Sequence, residues 1–100
     1  MPAALAGRDV ARAFFGLVRE RLQAKAPPEA MAELAIRIEA VIAALRIVKW
    51  TESADRQNQM RTAIEDEIVG WAERVGEQIP FARIDEAMEA CLDVARVRLP

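Results

Sequence analysis

The sequence predicts an all-α domain: a compact four-helix, up-down, bundle-like assembly with the second helix central. Three observations carry this. Apolar residues recur with a 3.6-residue period in four segments. Pro, Gly or Ser/Thr punctuation separates the segments, and none repeats another. The composition is 53% hydrophobic but only 5% aromatic, with four Gly and with Ala, Leu, Ile, Val, Glu and Arg prevailing, which disfavours both disorder and β-rich folds. One hundred residues make one domain, and folding of a chain this size removes roughly 65% of its extended surface from water, enough for one modest core.

The first helix is expected over about residues 8–25, with Val10, Phe14, Leu17 and Val18 on one face. Residues 1–7 before it are expected to be a loose entry. Pro27 and Pro28 stop it, and Pro28 opens a second helix, because proline fits a first helical turn where its missing donor costs nothing. Glu29 and Glu33 suit the positive end of that helix. The second helix is expected over about residues 28–48 and carries two apolar stripes. Met31, Leu34, Ala35, Ile38, Val41, Ile42, Leu45 and Val48 form one, and Ala32, Ile36, Ala40, Ala43 and Ile47 form the other. A helix apolar on two sides is either central or meets a partner.

Ser53 can cap a third helix over about residues 54–75, and Gly76 stands where a left-handed residue closes helices. Met60, Ile64, Ile68, Trp71 and Val75 line its narrow inner stripe, whereas its remaining surface is polar. The last helix is expected over about residues 82–99, with Phe81, Ile84, Met88, Cys91, Leu92, Ala95 and Leu99 inward. Short connections favour antiparallel neighbours.

Charge and residue inventory narrow the chemistry. Fourteen basic against sixteen acidic residues give a formal charge of -2, so no global positive field draws the chain to nucleic acid or anionic lipid. With no histidine and one cysteine, His-based acid/base catalysis, Cys-His pairs, Cys/His zinc sites and an internal disulfide all fall away. Cys91 then counts as a small core hydrophobe, since no cation or helix N-terminus is placed to activate it. The four glycines are scattered, so no phosphate cradle is visible. Glu65, Asp66 and Glu67 are adjacent, but consecutive helical residues point about 100° apart and cannot converge on one ion. No cofactor and no metal are expected. No apolar run approaches the ~20 residues a bilayer span needs, and the lone thiol fits a reducing, cytoplasmic setting.

Local features remain. Residues 1–25 carry five basic and two acidic side chains, while residues 50–78 carry three and seven. Arg8, Arg12 and Arg19 fall within about 40° on a helical wheel, a weak basic strip compatible with phosphate contact. Direct nucleic-acid binding is not expected from it, because aromatic interleaving is missing. A helix-turn-helix over the second and third helices would set the most acidic segment against phosphates. Phe15 and Leu22 lie beside the strip and off the main stripe, so they are candidates for touching a neighbouring chain, together with Ile36 and Ile47 of the second stripe. Trp50 is expected to plug the angle between the second and third helices rather than to stack on a ligand.

The run Ile47-Val48-Lys49-Trp50-Thr51-Glu52-Ser53-Ala54-Asp55, followed by Met60-Arg61 and Ile64-Glu65-Asp66, resembles the C-terminal helical region of the restriction (motor) subunit of type I restriction-modification enzymes. Trp50-Thr51 with Arg61 at this spacing is the distinctive part. Ala11-Arg12-Ala13-Phe14-Phe15-Gly16 and the tail from Ile84-Asp85-Glu86 through Ala95-Arg96 are similar in kind. Lys49 departs from the family, which usually has an acid before the tryptophan. The resemblance implies a helical assembly domain that docks an ATP-dependent endonuclease subunit onto its methyltransferase-specificity core and is not itself an enzyme. It also implies that Arg61 pairs with a nearby acid. The alternative from the residues alone is a free-standing helical protein that homodimerises or binds a protein partner through its Ala/Ile face.

Overall fold

The computed structural model describes residues 1–100, and every element in it is helical. A 3-10 turn at Ala3–Leu5 precedes α1 (Asp9–Leu22) and α2 (Pro28–Leu45); a second 3-10 turn at Trp50–Glu52 leads into α3 (Ala54–Val75) and α4 (Phe81–Arg98). The bounds of α3 follow from local chemistry. Ser53 Oγ accepts the Arg56 N–H at 3.1 Å, satisfying a first-turn donor. At the other end Gly76 takes φ +75°, and the Glu77 N–H reaches back to the Ala72 carbonyl at 2.9 Å.

The first two helices stop three residues before their sequence pattern does. After Leu22, Gln23 turns left-handed at φ +52°, and the Lys25 N–H donates to the Glu77 carboxylate at 2.8 Å instead of continuing the helix. After Leu45, Arg46 is extended, and Lys49 at φ +60° swings the chain so that Trp50 enters the core. Val48, at the end of the expected inner stripe, is thereby thrown out of the helix and is 89% exposed.

Polar pairs fix the directions. Arg8 near the start of α1 meets Glu39 of α2, the Trp71 indole near the end of α3 donates to the Ala30 carbonyl at 2.8 Å, and Gln57 near the start of α3 accepts from Arg96 near the end of α4. Successive helices therefore run antiparallel, and α1 packs on α4 to close a ring of four. Within it α2 lies between α1 and α3 and also covers the N-terminal turn.

All twenty-four buried residues are hydrophobic, and no buried side-chain nitrogen or oxygen lacks a partner. On α1 the buried set is Ala11, Phe14, Phe15, Val18 and Leu22. The centre of that stripe is rotated by roughly 70° from the centre of the expected face of Val10, Phe14, Leu17 and Val18, at 100° per residue. Ala11 explains the rotation: a small side chain at the centre of a contact lets a neighbouring backbone approach, so the larger flanking residues meet the core on both sides. Residues 1–7 are not a loose entry either. Leu5 is fully buried, and its carbonyl accepts both the Arg8 N–H at 3.1 Å and Arg12 Nε at 3.2 Å. Phe81 and Val75 depart from their expected inward places. Phe81 is the first residue of α4, 71% exposed, and the buried stripe of that helix begins only at Ile84; Val75 sits one residue before the Gly76 cap.

Candidate interaction surface

The residues singled out from the sequence divide into two groups. Phe15 and Leu22 are buried within the chain itself, which removes them from any surface offered to a partner. Their positions beside Phe14 and Val18 belong to one broad inward stripe of α1. Ile36 is half-buried against the core, and Ile47 is about half exposed. Around them Ala40 and Ala43, with the neighbouring Ala44, are exposed. The second stripe of α2 thus contributes one wedge to the interior, Ala32, and turns most of the rest outward.

Trp50 organises the corner between α2 and α3. Its ring is fully buried, and Nε1 donates to the Leu99 carbonyl at 2.7 Å, so the indole ties this corner to the end of α4. Three successive turn bonds hold the backbone around it: Trp50 N–H to Ile47, Glu52 N–H to Lys49, and Ser53 N–H to Trp50, at 3.0 to 3.1 Å. The Thr51 carbonyl accepts Gln57 Nε2 at 3.1 Å. Gln57 in turn receives both Nε and Nη2 of Arg96, which also pairs with Asp93. Arg61 donates to Glu89 at 2.8 Å and to Asn58 at 2.8 Å. The distinctive residues Trp50, Thr51 and Arg61 therefore all sit on the seam that joins α3 to α4. The carbonyl partners of the two indoles and the Gln57–Arg96 pair had no sequence signal, since they bring together residues about forty or more positions apart.

The arginine strip does not persist as a free face. Arg8 precedes α1 in a non-helical conformation and faces Glu39 at 3.8 Å. Arg12 bonds the Leu5 carbonyl, which leaves Arg19 as the member with neither contact. Glu65, Asp66 and Glu67 make no ion pair, and no group of three His, Cys, Asp or Glu side chains is close enough to hold a metal. Burial pushes the Cys91 thiol up to about 12, far from the range of an activated nucleophile.

Two open clefts mark the surface. One, between α2 and α3, is lined by Leu45, Asn58, Gln59, Thr62, Ala63 and Asp66. The other lies at the Trp50 corner, between Ala43, Arg46, Ile47, Val48 and Pro100. The second joins exposed aliphatic side chains to a cation, a combination suited to protein recognition. No helix is long and apolar enough to cross a membrane. Comparison with known proteins finds no matching family model, no matching curated protein and no matching solved structure.

Proposed function

We propose that this chain is an assembly domain of a type I restriction motor subunit, a cytoplasmic, non-catalytic module that docks the motor onto a methyltransferase-specificity core. The observation that carries the reading is the Trp50 corner. The segment that resembles the family, Ile47 through Asp55, is the one where a buried indole fixes the backbone while Ile47 and Val48 face outward. A rigid apolar corner favours association because little conformational entropy is lost when it is covered. Co-purification with the methyltransferase and specificity subunits tests the reading. The parent chain is expected to be retained and Ile47→Asp to be lost, whereas no retention of the parent chain refutes docking.

A second reading is homodimerisation through the outer face of α2. The exposed Ala40, Ala43 and Ala44 beside Ile36 and Ile47 support it, since small residues let helices approach closely. Light scattering at rising concentration separates the two: a dimer that survives dilution favours this face, and a monomer favours the first reading.

A further inference from the structure

The Trp50 corner also has a charge pattern. We infer that it receives an acidic segment of a partner protein bearing aliphatic side chains. The inference rests on the docking reading for the identity of the partner, though not for its chemistry. The cleft bounded by Ala43, Arg46, Ile47, Val48 and Pro100 encloses about 430 Å³ and is open to solvent, room for one or two aliphatic side chains. Val48 is 89% exposed, yet the backbone on either side is held by the left-handed Lys49 and by the turn bonds from Trp50, Glu52 and Ser53. An apolar side chain is thus presented in a fixed place.

The cations at this corner have no internal partner. Neither Arg46 nor Lys49 has a carboxylate within 4.0 Å, as is also true of seven other Lys and Arg side chains, but Arg46 alone of these lines an aliphatic cleft. Glu52 is the single acid in residues 46–52 and is likewise unpaired. A carboxylate on a partner would find two cations there that need not be pulled from existing bonds.

Field range decides between classes of anion. A duplex or a lipid surface is long and senses the whole molecule, which carries -2, with seven acids against three bases over residues 50–78. A short acidic segment seated in the cleft lies within a Debye length, about 8–10 Å, of Arg46 and Lys49, which outweigh the neighbouring Glu52 by one charge, and the carboxylates farther off are screened from it. The aliphatic lining adds an attraction that a nucleic-acid backbone cannot use.

The test is a titration of the isotopically labelled chain with a helical peptide of alternating Glu-Glu and Leu-Leu pairs, followed by NMR. Saturable shifts are expected at the amides of residues 43–49 and at Leu99. The double variant Arg46→Glu/Lys49→Glu is expected to bind about tenfold more weakly. Val48→Ser should also weaken binding. Both variants alter exposed side chains, and a thermal melt verifies that each is folded. A Lys-Lys/Leu-Leu peptide should not saturate. Absence of saturable shifts at millimolar peptide, shifts that map elsewhere, or saturation of this corner by duplex DNA or by phosphatidylserine vesicles would overturn the inference. Pull-down with the methyltransferase-specificity core separates the two ideas. Equal retention of parent and double variant sinks the acidic-segment assignment and leaves docking intact. Peptide binding at the corner with no retention of the parent chain does the reverse.

Discussion

Replacing Trp50 by alanine removes one of the two tryptophans of the core, at the point where three elements meet. The ring is fully buried and its N–H donates to the Leu99 carbonyl at 2.7 Å. Truncating a buried Trp to Ala costs about 3–5 kcal/mol, the transfer of the lost atoms plus the cavity they leave. A domain of this size has roughly 5–15 kcal/mol in total. The variant is therefore expected to keep about four fifths of its stability at best and only about 0–2 kcal/mol at the low end of that range. Trp50→Phe separates the two contributions, since it keeps most of the apolar bulk and loses the bond to Leu99. A hydrogen bond contributes about 0.5–1.5 kcal/mol net. At about 4–8 °C per kcal/mol for a domain of this length, the phenylalanine variant should melt several degrees lower. Urea unfolding followed by far-ultraviolet circular dichroism measures both. An unchanged midpoint for Trp50→Ala would refute the argument, because it would mean that the indole does not join α4 to the corner between α2 and α3.

Leu5→Ala should cost about 2–5 kcal/mol, as for a core leucine; a melting temperature equal to that of the parent would return residues 1–7 to the status of a loose entry. Cys91 carries a pH signature. Burial raises its thiol from 9.0 to about 12, so the folded state holds a proton that the unfolded chain releases first. The associated stability is full below pH 9 and is lost as pH rises from 9 towards 12, at up to about 1.4 kcal/mol per unit. With no Tyr in the chain, Cys91→Ala should flatten that alkaline slope, and an unaltered slope in urea titrations would count against a buried thiol. Phe15→Asp should unfold the chain, whereas Ile47→Asp should shift stability by no more than about 0.5 kcal/mol; parent-like melting of the first variant would put Phe15 on the surface. Lys49→Gly suits φ +60° better than lysine does, so its melting temperature should hold or rise slightly while acidic-peptide binding weakens. A fall in melting temperature would show that the lysine stem itself stabilises the corner.

Those variants probe different depths of what the sequence discloses. Number and order of helices follow from periodicity, and the bounds of α3 follow from Ser53 and Gly76, because an N-cap hydroxyl and a left-handed glycine act on their own neighbours. The ends of α1 and α2 are set at a distance. Glu77 takes the Lys25 N–H, and burial of Trp50 bends the chain after Leu45, so a local pattern overruns each by three residues. The inward face of α1 is not legible in the sequence because an alanine contributes little to a hydrophobic stripe by size, yet Ala11 sits at its centre with no exposure. That same rotation buried Phe15 and Leu22. Ile36 keeps an outward share on α2, which packs on α1 and α3, and Ile47 is about half exposed because it lies beyond the end of that helix. Leu5 gave no periodic signal at all: three residues in a 3-10 turn are too few to show one.

The Trp50 corner shows why a plug and a surface need not be separate devices. A helix extended through Val48 would have kept that side chain on the inner stripe. Its termination at Leu45 and the left-handed step at Lys49 turn the indole inward, and that step at Lys49 breaks the register between Val48 and Trp50, leaving the valine two residues earlier outward. Burial of the indole contributes far more stability than exposure of one valine costs, since a large aromatic removes 150–250 Å² from water, at about 25 cal/mol per Å². The fold therefore tolerates an exposed aliphatic side chain in a fixed position without any need for a partner to hold it there. What such a presentation requires is that Trp50 remain bonded to Leu99. Loss of that bond should loosen the presentation of Val48 before it unfolds the bundle. On this account Trp50→Phe weakens association by more than its modest stability change alone would produce.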